Sequence, residues 1–590
     1  MNDHPANRKM IAKLMFRLLP IQVVLAAAGS VNGIVSGVFA SRLLGVDAMS
    51  VLGLYAPIQT LLTGIGLMLA GGSVILCAKH MGRNEQAGMQ NVFSLDLAVT
   101  TGLAVGIAAL FLLRGTLGGT GALVRDEALR PLFDRYLLGQ AAGVPALLLG
   151  VQIPPFLTME NRGRRTMRAS LIHIAAHLLL TLLLVVVLDG GIFGLALASS
   201  LGLWVFLGVE AAPFLAGRTH MRLTVRSLRW RELGPILRTG APGALGSGCQ
   251  AVRGLLVNRL ILLFVGSAGL SAFAAADTLL RIVWAFPTGM LAVSRLLMSV
   301  SFGEEDRQTL CDIFRVMLRR FVPLMCAVAA VLILAAVPLT RIYYRDPADP
   351  VFRMTAAGLR ILPLCLPLSV LSTHFSAYGQ VSGRPWLAHG LSLLDGVVCA
   401  AGFAALLIRP LGMPGTYLAF VLSGAVCLLV VLARARVLGG RFPRSMEELL
   451  VLPADFGVPE SERLDLTVRS MDEVVQIARH VQDFCLDRGV DPRRAYLAGL
   501  SLEEMAGNVV AHGFTKSTRT HAVDVRVVHK NDDVILRLRD DCVPFDPGER
   551  QRLAEDSDVT KNIGIRMVFR IARDIQYRYL LGLNVLTIRI

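Results

Sequence analysis

The stretch LLGVDAMSVLGL (Leu43–Leu54) recurs 221 positions later as FVGSAGLSAFAA (Phe264–Ala275). Two further pairs have almost the same separation: LLPIQVV and GAPGALG around Pro20 and Pro242, and KHMGRNEQ and VSFGEEDRQ around Gly82 and Gly303. Three pairs at one separation indicate that the chain is built from two similar halves. Parallel repeats of this kind form two bundles around an axis along the membrane normal, and a substrate path usually lies between them.

The composition is that of a polytopic membrane protein rather than a soluble domain. The 590 residues have a mean hydropathy of +0.59, 54% of them are hydrophobic and only 17% are charged. Apolar runs long enough to span a bilayer recur twelve times, near 14–40, 52–78, 92–113, 132–157, 168–188, 191–215, 234–265, 270–300, 316–338, 356–378, 387–408 and 414–433. We therefore predict a polytopic α-helical membrane protein with twelve transmembrane helices in two six-helix bundles, residues 1–217 and 218–444.

The charges are distributed unevenly between these bundles and the rest of the chain. Residues 1–444 contain 39 Lys and Arg against 19 Asp and Glu, whereas residues 445–590 contain 20 against 24. A basic excess confined to the apolar part is typical of cytoplasmic loops and argues against a nucleic-acid partner. With both ends inside, the inner loops hold 25 basic residues and the outer loops hold 10. We predict a multi-pass protein of the cell (inner, cytoplasmic) membrane with both termini in the cytoplasm.

Four segments of the apolar part form a recognisable pattern: SRLLGVDAMSVLGLYAPIQTLL (Ser41–Leu62), KHMGRNEQAGMQNVF (Lys79–Phe93), LDGGIFGLALAS (Leu188–Ser199) and LLVNRLILLFVGSAGLSAFAAADTLLRI (Leu255–Ile282). This pattern resembles the MATE family of multidrug and toxic compound extrusion transporters, over about residues 10–437. The resemblance implies an antiporter in the lipid bilayer that works by alternating access of its two bundles. It also implies a small-molecule substrate, an organic cation or a related compound, whose efflux is coupled to H⁺ or Na⁺.

The chain departs from that family in the first span, where many members carry an aspartate and this sequence has Val35 and Ser36. A serine hydroxyl does not change its charge in the physiological pH range, so another group must bind the coupling ion. Acidic residues inside spans are costly, at ~2.5–3.5 kcal/mol each, so our transport candidates are Asp277, Asp395 and Arg281, the neighbour of Asp277. Arg281 lies one helical turn after Asp277, so an internal ion pair explains that aspartate equally well.

The composition after residue 444 is that of a soluble α/β domain, residues 445–590. The hydrophobic pattern predicts a strand near 463–468, helices over 470–489 and 491–512, alternating strands at 522–530 and 533–540, a helix over 565–574 and a final strand pair. Helices on one face of a mixed or antiparallel sheet would give an α/β sandwich.

One segment of this domain, SLEEMAGNVVAHGFTKST (Ser501–Thr518), suggests a phosphate-binding loop at first sight. That loop requires a glycine directly before its lysine, whereas Thr515 precedes Lys516 and the residues before them are predicted to be helical. Glu504 and Asn508 are instead four residues apart and share one face of a helix.

This Glu and Asn, with DDCVPFDP (Asp540–Pro547) and NIGIRMVFRIA (Asn562–Ala572), resemble the GHKL ATPase family, most closely its anti-sigma-factor serine kinase branch. The resemblance implies a histidine-kinase-like ATP-binding domain of the Bergerat fold that uses ATP and Mg²⁺. By that resemblance Asn508 binds Mg²⁺, Asp540 accepts a hydrogen bond from the adenine amine, and Gly564 lets backbone approach a phosphate. Glu504 would be the catalytic base toward water or a protein hydroxyl.

Two substitutions in these motifs bear on whether the domain binds nucleotide. Cys542 and Asn562 stand where the family has glycines, and the Cys542 side chain could crowd the adenine. Pro544 replaces a further glycine, as it also does in the anti-sigma kinase branch.

Three functional hypotheses follow from the sequence. The first is a MATE-like secondary transporter with a cytoplasmic nucleotide-binding regulatory domain. The second is a membrane-tethered anti-sigma-type serine kinase whose partner is a soluble regulatory protein, and the third is a flippase for a lipid-linked precursor. Twelve spans favour transport, because an anchor needs only one or two.

Overall fold

The computed structural model describes residues 5–83, 85–117, 127, 129–224, 228–341, 344, 346–453, 456–458, 460–516, 521–530, 533–547, 563–580 and 582–590. The chain divides into two compact units. The helical unit consists of Met15–Glu304 and Ile313–Val451, and the tail unit consists of Met1–Leu14, Glu305–Asp312 and Leu452–Ile590. Two short pieces from the apolar part of the chain thus belong to the same compact unit as the C-terminal domain.

The first half of the chain is helical wherever the sequence is apolar. Its helices are α1 Pro5–Phe39, α2 Val46–Gly82, α3 Gln86–Thr116, α4 Arg130–Ala141, α5 Val144–Met159, α6 Gly163–Thr181 and α7 Gly191–Leu215. Single π-helical turns extend α1 over Ala40–Leu44 and α6 over Leu182–Val187.

The second half repeats this arrangement. Its helices are α8 Leu233–Phe264, α9 Ser267–Gly303, α10 Arg307–Val316, α11 Val322–Leu334, α12 Ala336–Thr340, α13 Pro350–Ile361, α14 Cys365–Val381, α15 Pro385–Leu393, α16 Cys399–Leu411, α17 Met413–Gly439 and α18 Met446–Leu450. A π-helical turn at Met317–Phe321 joins α10 to α11, and another at Leu394–Val398 joins α15 to α16.

Ten of the helical segments that the structure describes are long and apolar enough to cross a membrane. The pair α4 and α5, bent by 45° where they meet, makes up to eleven. The remaining predicted span, near 234–265, corresponds to α8, which is long enough but less apolar because it carries Arg238, Arg253 and Arg259. Ten or eleven of the twelve predicted spans are therefore found among the described helices, and α8 is not one of them.

The ends of α2 and α9 approach each other at two glycines that occupy equivalent positions in the repeat. A Cβ built on Gly82 would lie 2.3 Å from the carbonyl oxygen of Val300, and one built on Gly303 would lie 2.3 Å from that of Lys79. Lys79 and Val300 are themselves 221 positions apart, so the contact is reciprocal. Only glycine fits at either position, and the two halves are closed against each other at this point.

The C-terminal domain has the predicted elements in the predicted order. They are β1 Arg463–Val468, α19 Met471–Leu486, α20 Pro492–Asn508, β2 Val523–Lys530, β3 Asp533–Asp540, α21 Ile563–Ile571, β4 Asp574–Leu580 and β5 Leu583–Arg589. The five strands form one sheet in the order β1-β2-β3-β5-β4, and every neighbouring pair is antiparallel.

The alternation of the strands places one face of this sheet in the core. Val525 and Val527 of β2 and Leu536 and Leu538 of β3 are buried with the apolar sides of α19 and α20, as a period of two requires. Both helices begin at a capping side chain, since the Ser470 hydroxyl accepts from the Glu473 N–H and the Asp491 carboxylate accepts from two backbone N–H groups.

Candidate functional site

A pocket opens in the tail unit between α20 and the end of β3. It encloses about 570 Å³, including its open mouth, and is lined by Met505, Asn508, Val509, His512, Gly513, Leu538, Asp540, Cys542, Val543, Phe545, Pro547, Tyr577, Asn584 and Leu586. Most of these side chains are apolar and a few are polar, which is the usual character of a small-molecule site. Two residues that the sequence selected, Asn508 and Asp540, face this one pocket.

Asp540 is fixed by a hydrogen-bond network at the base of the pocket. Its Oδ1 accepts from Asn584 Nδ2 at 2.7 Å and from the Cys542 N–H at 2.9 Å. The Tyr577 hydroxyl donates to Asn584 Oδ1 at 2.6 Å and accepts from the Phe545 N–H at 3.0 Å. The carboxylate is 4% exposed, and this burial raises the pKa of Asp540 above its ordinary value even though Asn584 and Cys542 donate to it. The network fixes the orientation of the Asp540 carboxylate at the base of the pocket.

Cys542 lies beside the pocket wall formed by the end of α20. A Cβ built on Gly513 would lie 3.2 Å from both the Cβ and the Sγ of Cys542, so this side chain packs against the end of the π-helical turn that follows α20. Cys542 nevertheless lines the pocket, and the crowding of a base that the sequence suggested is still a prediction.

Glu504 and Gly564 form a second contact, one helical turn from Asn508. Gly564 is the second residue of α21, and a Cβ at this position would lie 1.8 Å from Glu504 Oε2. The Glu504 carboxylate therefore packs directly on the backbone at the start of α21, where the helix dipole favours a negative charge. The structure places Glu504 with Gly564, and Asn508 with Asp540. Asn562 lies outside the described residues.

The donor set on α20 suits a magnesium ion bound to phosphates. The Asn508 amide and the Glu504 carboxylate supply oxygen atoms, which are the ligands that Mg²⁺ prefers. They project from the helix one turn apart, between the pocket and the start of α21. The residues present therefore fit the group that the sequence predicted.

The transport candidates of the second half lie in two different environments. Asp277 and Arg281 form an ion pair on α9, with 2.8 Å between Asp277 Oδ2 and Arg281 Nη2, and the two side chains are 40% and 69% exposed. Asp395 lies in the π-helical turn between α15 and α16. It accepts from Ser423 Oγ at 3.0 Å and from Ser372 Oγ at 3.4 Å.

Arg253 of α8 completes the surroundings of Asp395. Its guanidinium donates to the Asp395 carbonyl oxygen at 3.3 Å and lies over the Phe420 ring, 5.2 Å from the ring centre. Asp395 is therefore bound from three neighbouring helices, which the sequence could not indicate, since it suggested only that this aspartate lacked an ion-pair partner on its own helix.

In the first half, two histidines lie next to the position of the missing aspartate. Ser36 Oγ is 3.4 Å from His177 Nε2, and Asn32 Oδ1 is 3.2 Å from His177 Nδ1. Asn32 Nδ2 is also 3.2 Å from His173 Nδ1. Their spacing of one helical turn on α6 is the sequence signal that could have shown that they share a face.

Two carboxylates of the first half are deeply buried. Asp96 is 1% exposed and Glu210 is not exposed at all. Asp96 Oδ1 accepts from the Ser73 hydroxyl at 2.8 Å. Sequence reasoning did not select either residue.

Comparisons with known proteins match the two parts of the chain separately. The family model MatE matches residues 23–183 and 242–394, and the model of a histidine kinase-like ATPase domain matches residues 468–590. No curated protein sequence matches this chain.

Several solved structures share the fold of the helical part. One is the outward-facing conformation of a multidrug resistance MATE family transporter of the MOP superfamily, with 21% identity and a TM-score of 0.67 over 72% of this chain and 96% of that chain. Another is a MATE in the straight conformation, with 22% identity, a TM-score of 0.67 and the same coverage. A third is a MOP superfamily transporter from Pyrococcus furiosus whose binding pocket is described as having reverse polarity that suggests a different function. It has 20% identity and a TM-score of 0.66 over 72% of this chain and 96% of that one.

Proposed function

Because the chain belongs to the MatE family and ends in a histidine kinase-like ATPase domain, we propose that it is a secondary transporter regulated by a nucleotide. The transported compounds are small organic cations or related molecules, and the driving force is an H⁺ or Na⁺ gradient. The membrane is the cell's inner membrane, and both termini lie on the cytoplasmic side, where ATP is available.

The observation that carries this proposal is the pocket of the tail, in which Asn508 and Asp540 face one cavity. A regulatory domain needs a site for its ligand, and this site offers an acceptor for an exocyclic amine and an amide oxygen for a cation. In the bound state Mg²⁺ neutralises charge on the phosphates. Asn508 would bind the ion, Asp540 would orient the adenine, and the backbone at Gly564 would approach a phosphate at the start of α21.

In the helical part, the coupling ion requires a group that can bind it. Asp395 is the strongest candidate of the second half, because its carboxylate accepts from Ser372 and Ser423 and its carbonyl oxygen accepts from Arg253. Asp277 is weaker, since Arg281 already neutralises it at an exposed position. Ser36 of the first half cannot change its charge, so other polar groups of that bundle would bind the coupling ion there.

Flux measurements test the transport proposal. The full-length protein is reconstituted in liposomes, and uptake of a panel of fluorescent organic cations is measured under imposed H⁺ or Na⁺ gradients. We expect gradient-dependent flux that falls at least tenfold in Asp395→Asn. Flux of a lipid-linked precursor without cation flux would favour the flippase alternative.

A second candidate function is a serine kinase, because Glu504 lies one turn from Asn508 and could accept a proton from a hydroxyl. It is tested by incubating the full-length protein with ³²P-labelled ATP and a cytosolic protein fraction. Transfer of label that Glu504→Gln abolishes, with no flux of any cation, would replace the transporter proposal by the kinase.

A further inference from the structure

The sheet of the tail unit has a charged face opposite its apolar core. Arg526 of β2 is paired in register with Arg537 of β3, and Asp465 of β1 is paired with Arg526. Arg539 extends the row on β3. Like charges directly opposite each other destabilise a sheet, so this cluster of three arginines needs a negative partner in addition to Asp465 and to Asp524, which is paired in register with Arg539.

Asp306 supplies that partner. Its Oδ2 lies 2.7 Å from Arg526 Nη1, 3.1 Å from Arg537 Nη2 and 3.6 Å from Arg539 Nη2, and the aspartate is 1% exposed. Burial alone would raise the pKa of Asp306, but the charges of the three arginines outweigh it and hold that pKa well below its ordinary value. The Thr309 N–H also donates to Asp306 Oδ1 at 2.9 Å, so the same side chain caps the start of α10.

The residues on either side of Asp306 are held as well. Arg307 Nε donates to the Phe456 carbonyl oxygen at 3.1 Å, and its Nη2 donates to that of Pro453. Gly457 has a φ of +84°, and a Cβ there would lie 2.7 Å from the Glu305 carbonyl oxygen. The C-terminal domain therefore contacts the residues on both sides of Asp306, and Glu305–Asp312 belongs to the same compact unit as that domain.

This segment directly follows the end of α9. Asp306 is three residues after Gly303, and Gly303 makes the reciprocal contact with α2 at Lys79 and Gly82. Alternating access requires two bundles to separate at one end and close at the other. Gly303 cannot lie more than about 10 Å from Asp306, because three residues span no more than ~3.3–3.6 Å each, so the end of α9 is tethered to the segment that the C-terminal domain holds.

Strand β3 carries two of the arginines that contact Asp306 and also carries Asp540 of the proposed nucleotide pocket. Arg539 is the residue before Asp540 in β3, with its side chain on the opposite face of the sheet. Asp541, the next residue, forms an ion pair with Lys13 near the start of α1 and accepts from His521 Nδ1 at 2.7 Å. A shift of the strand end at Asp540 would therefore move the groups that hold Asp306.

We propose that Asp306 and the three arginines form a latch through which nucleotide in the tail pocket controls separation of α2 and α9 at Gly82 and Gly303. This inference rests on the proposed nucleotide site. It makes Asp306, a residue of the loop between two spans, the point where the regulatory domain acts on the transporter.

Distance measurements in the full-length protein test the latch without knowledge of the substrate. Spin labels are attached at Arg83→Cys and Glu304→Cys, beside the glycine contact, in a Cys326→Ser background, since Cys326 is the exposed cysteine of the nine. Double electron–electron resonance then gives the fraction of closed and open forms with and without Mg²⁺ and a non-hydrolysable ATP analogue. In the protein with native Asp306 and arginines, we expect the ATP analogue to change the fraction of molecules in the closed form.

Asp306→Asn removes the charge but keeps a side chain that can cap α10. We expect the closed fraction relative to the open one to fall roughly tenfold or more, and its response to the analogue to disappear. Arg537→Gln removes a partner of Asp306 and should lower the closed fraction in the same way. The double variant should lower it no further than either single variant does. Asp533→Asn is the matched control, because Asp533 pairs with the exposed Arg573 on the same sheet.

Binding of a fluorescent ATP analogue is measured on the same samples. If the parent protein binds it but the label distance does not respond, or if Asp306→Asn behaves like Asp533→Asn, the latch is wrong and the nucleotide site stands. If the parent protein binds no nucleotide, the proposed tail function and its control of the latch both fail.

Discussion

Substitution of Gly303 by alanine tests whether the contact between α2 and α9 closes the transporter. The added Cβ would lie 2.3 Å from the Lys79 carbonyl oxygen, about 1 Å closer than an ordinary contact allows. The obstacle is a backbone carbonyl, which cannot rotate away as a side chain could. Overpacking of this kind costs ~1–3 kcal/mol, which corresponds to a change of about 5–150-fold in the ratio of closed to open forms.

The label pair at residues 83 and 304 measures this ratio directly. We expect Gly303→Ala to increase the population at long distance, and Gly82→Ala to do the same because its Cβ would meet Val300 at 2.3 Å as well. Gly64→Ala is the control on α2, since a Cβ there has nothing within 4 Å and the change in helix propensity is similar. If both contact variants gave the distance distribution of Gly64→Ala, the glycine contact would not be the closed gate.

Four further results are expected. Asp540→Asn should lower nucleotide affinity at least tenfold without lowering the midpoint of thermal unfolding. Burial raises the pKa of Asp540, so the ionised carboxylate lowers the free energy of unfolding at neutral pH. A lower unfolding midpoint in Asp540→Asn would contradict this interpretation. Because its pKa is raised, Asp540 should become protonated at a higher pH than an ordinary aspartate, which titrates near 3.9. Nucleotide affinity should therefore begin to fall at a pH above that range, and measurements of affinity at a series of pH values would detect this. Asp306 has a depressed pKa, so its contribution to stability is present above the ordinary pKa of aspartate and is lost only as pH falls toward the depressed value. The free energies of unfolding of Asp306→Asn and of the parent should therefore differ by as much at pH 5 as at pH 7. Asp277→Asn should leave cation flux within twofold of the parent, because Arg281 already pairs with Asp277, whereas Asp395→Asn should not, and equal losses in both would remove Asp395 as the coupling group.

The fold could be predicted from the sequence wherever a single periodicity controls it. The strands β2 and β3 begin and end within one residue of the predicted ranges 522–530 and 533–540, because apolar residues lie at every second position over 523–527 and 534–538. The spans followed from the length of the apolar runs. The predicted helix at 491–512 was less accurate, since α20 ends at Asn508 and continues as a π-helical turn over Val509–Gly513, a change that hydrophobic periodicity does not encode.

The site could be predicted only as separate residues. Glu504 and Asn508 were placed on one helix face by their spacing, but the packing of Glu504 on Gly564 depends on how α21 meets α20, and no local pattern reports it. Asp306 was not selected at all. It lies 231 positions from Arg537, and an aspartate in a short polar loop is unremarkable until the fold brings three arginines to it.

The account depends most on the pocket of the tail being a working adenine-nucleotide site. The direct measurement is a calorimetric titration of ATP into the full-length protein with Mg²⁺, in parallel with the Asp540→Asn and Asn508→Ala variants. We predict saturable binding at one site per chain, weakened in both variants, with Asn508→Ala also losing the dependence on Mg²⁺. An absence of saturable binding in the parent protein, or equal affinity in all three proteins, would contradict it.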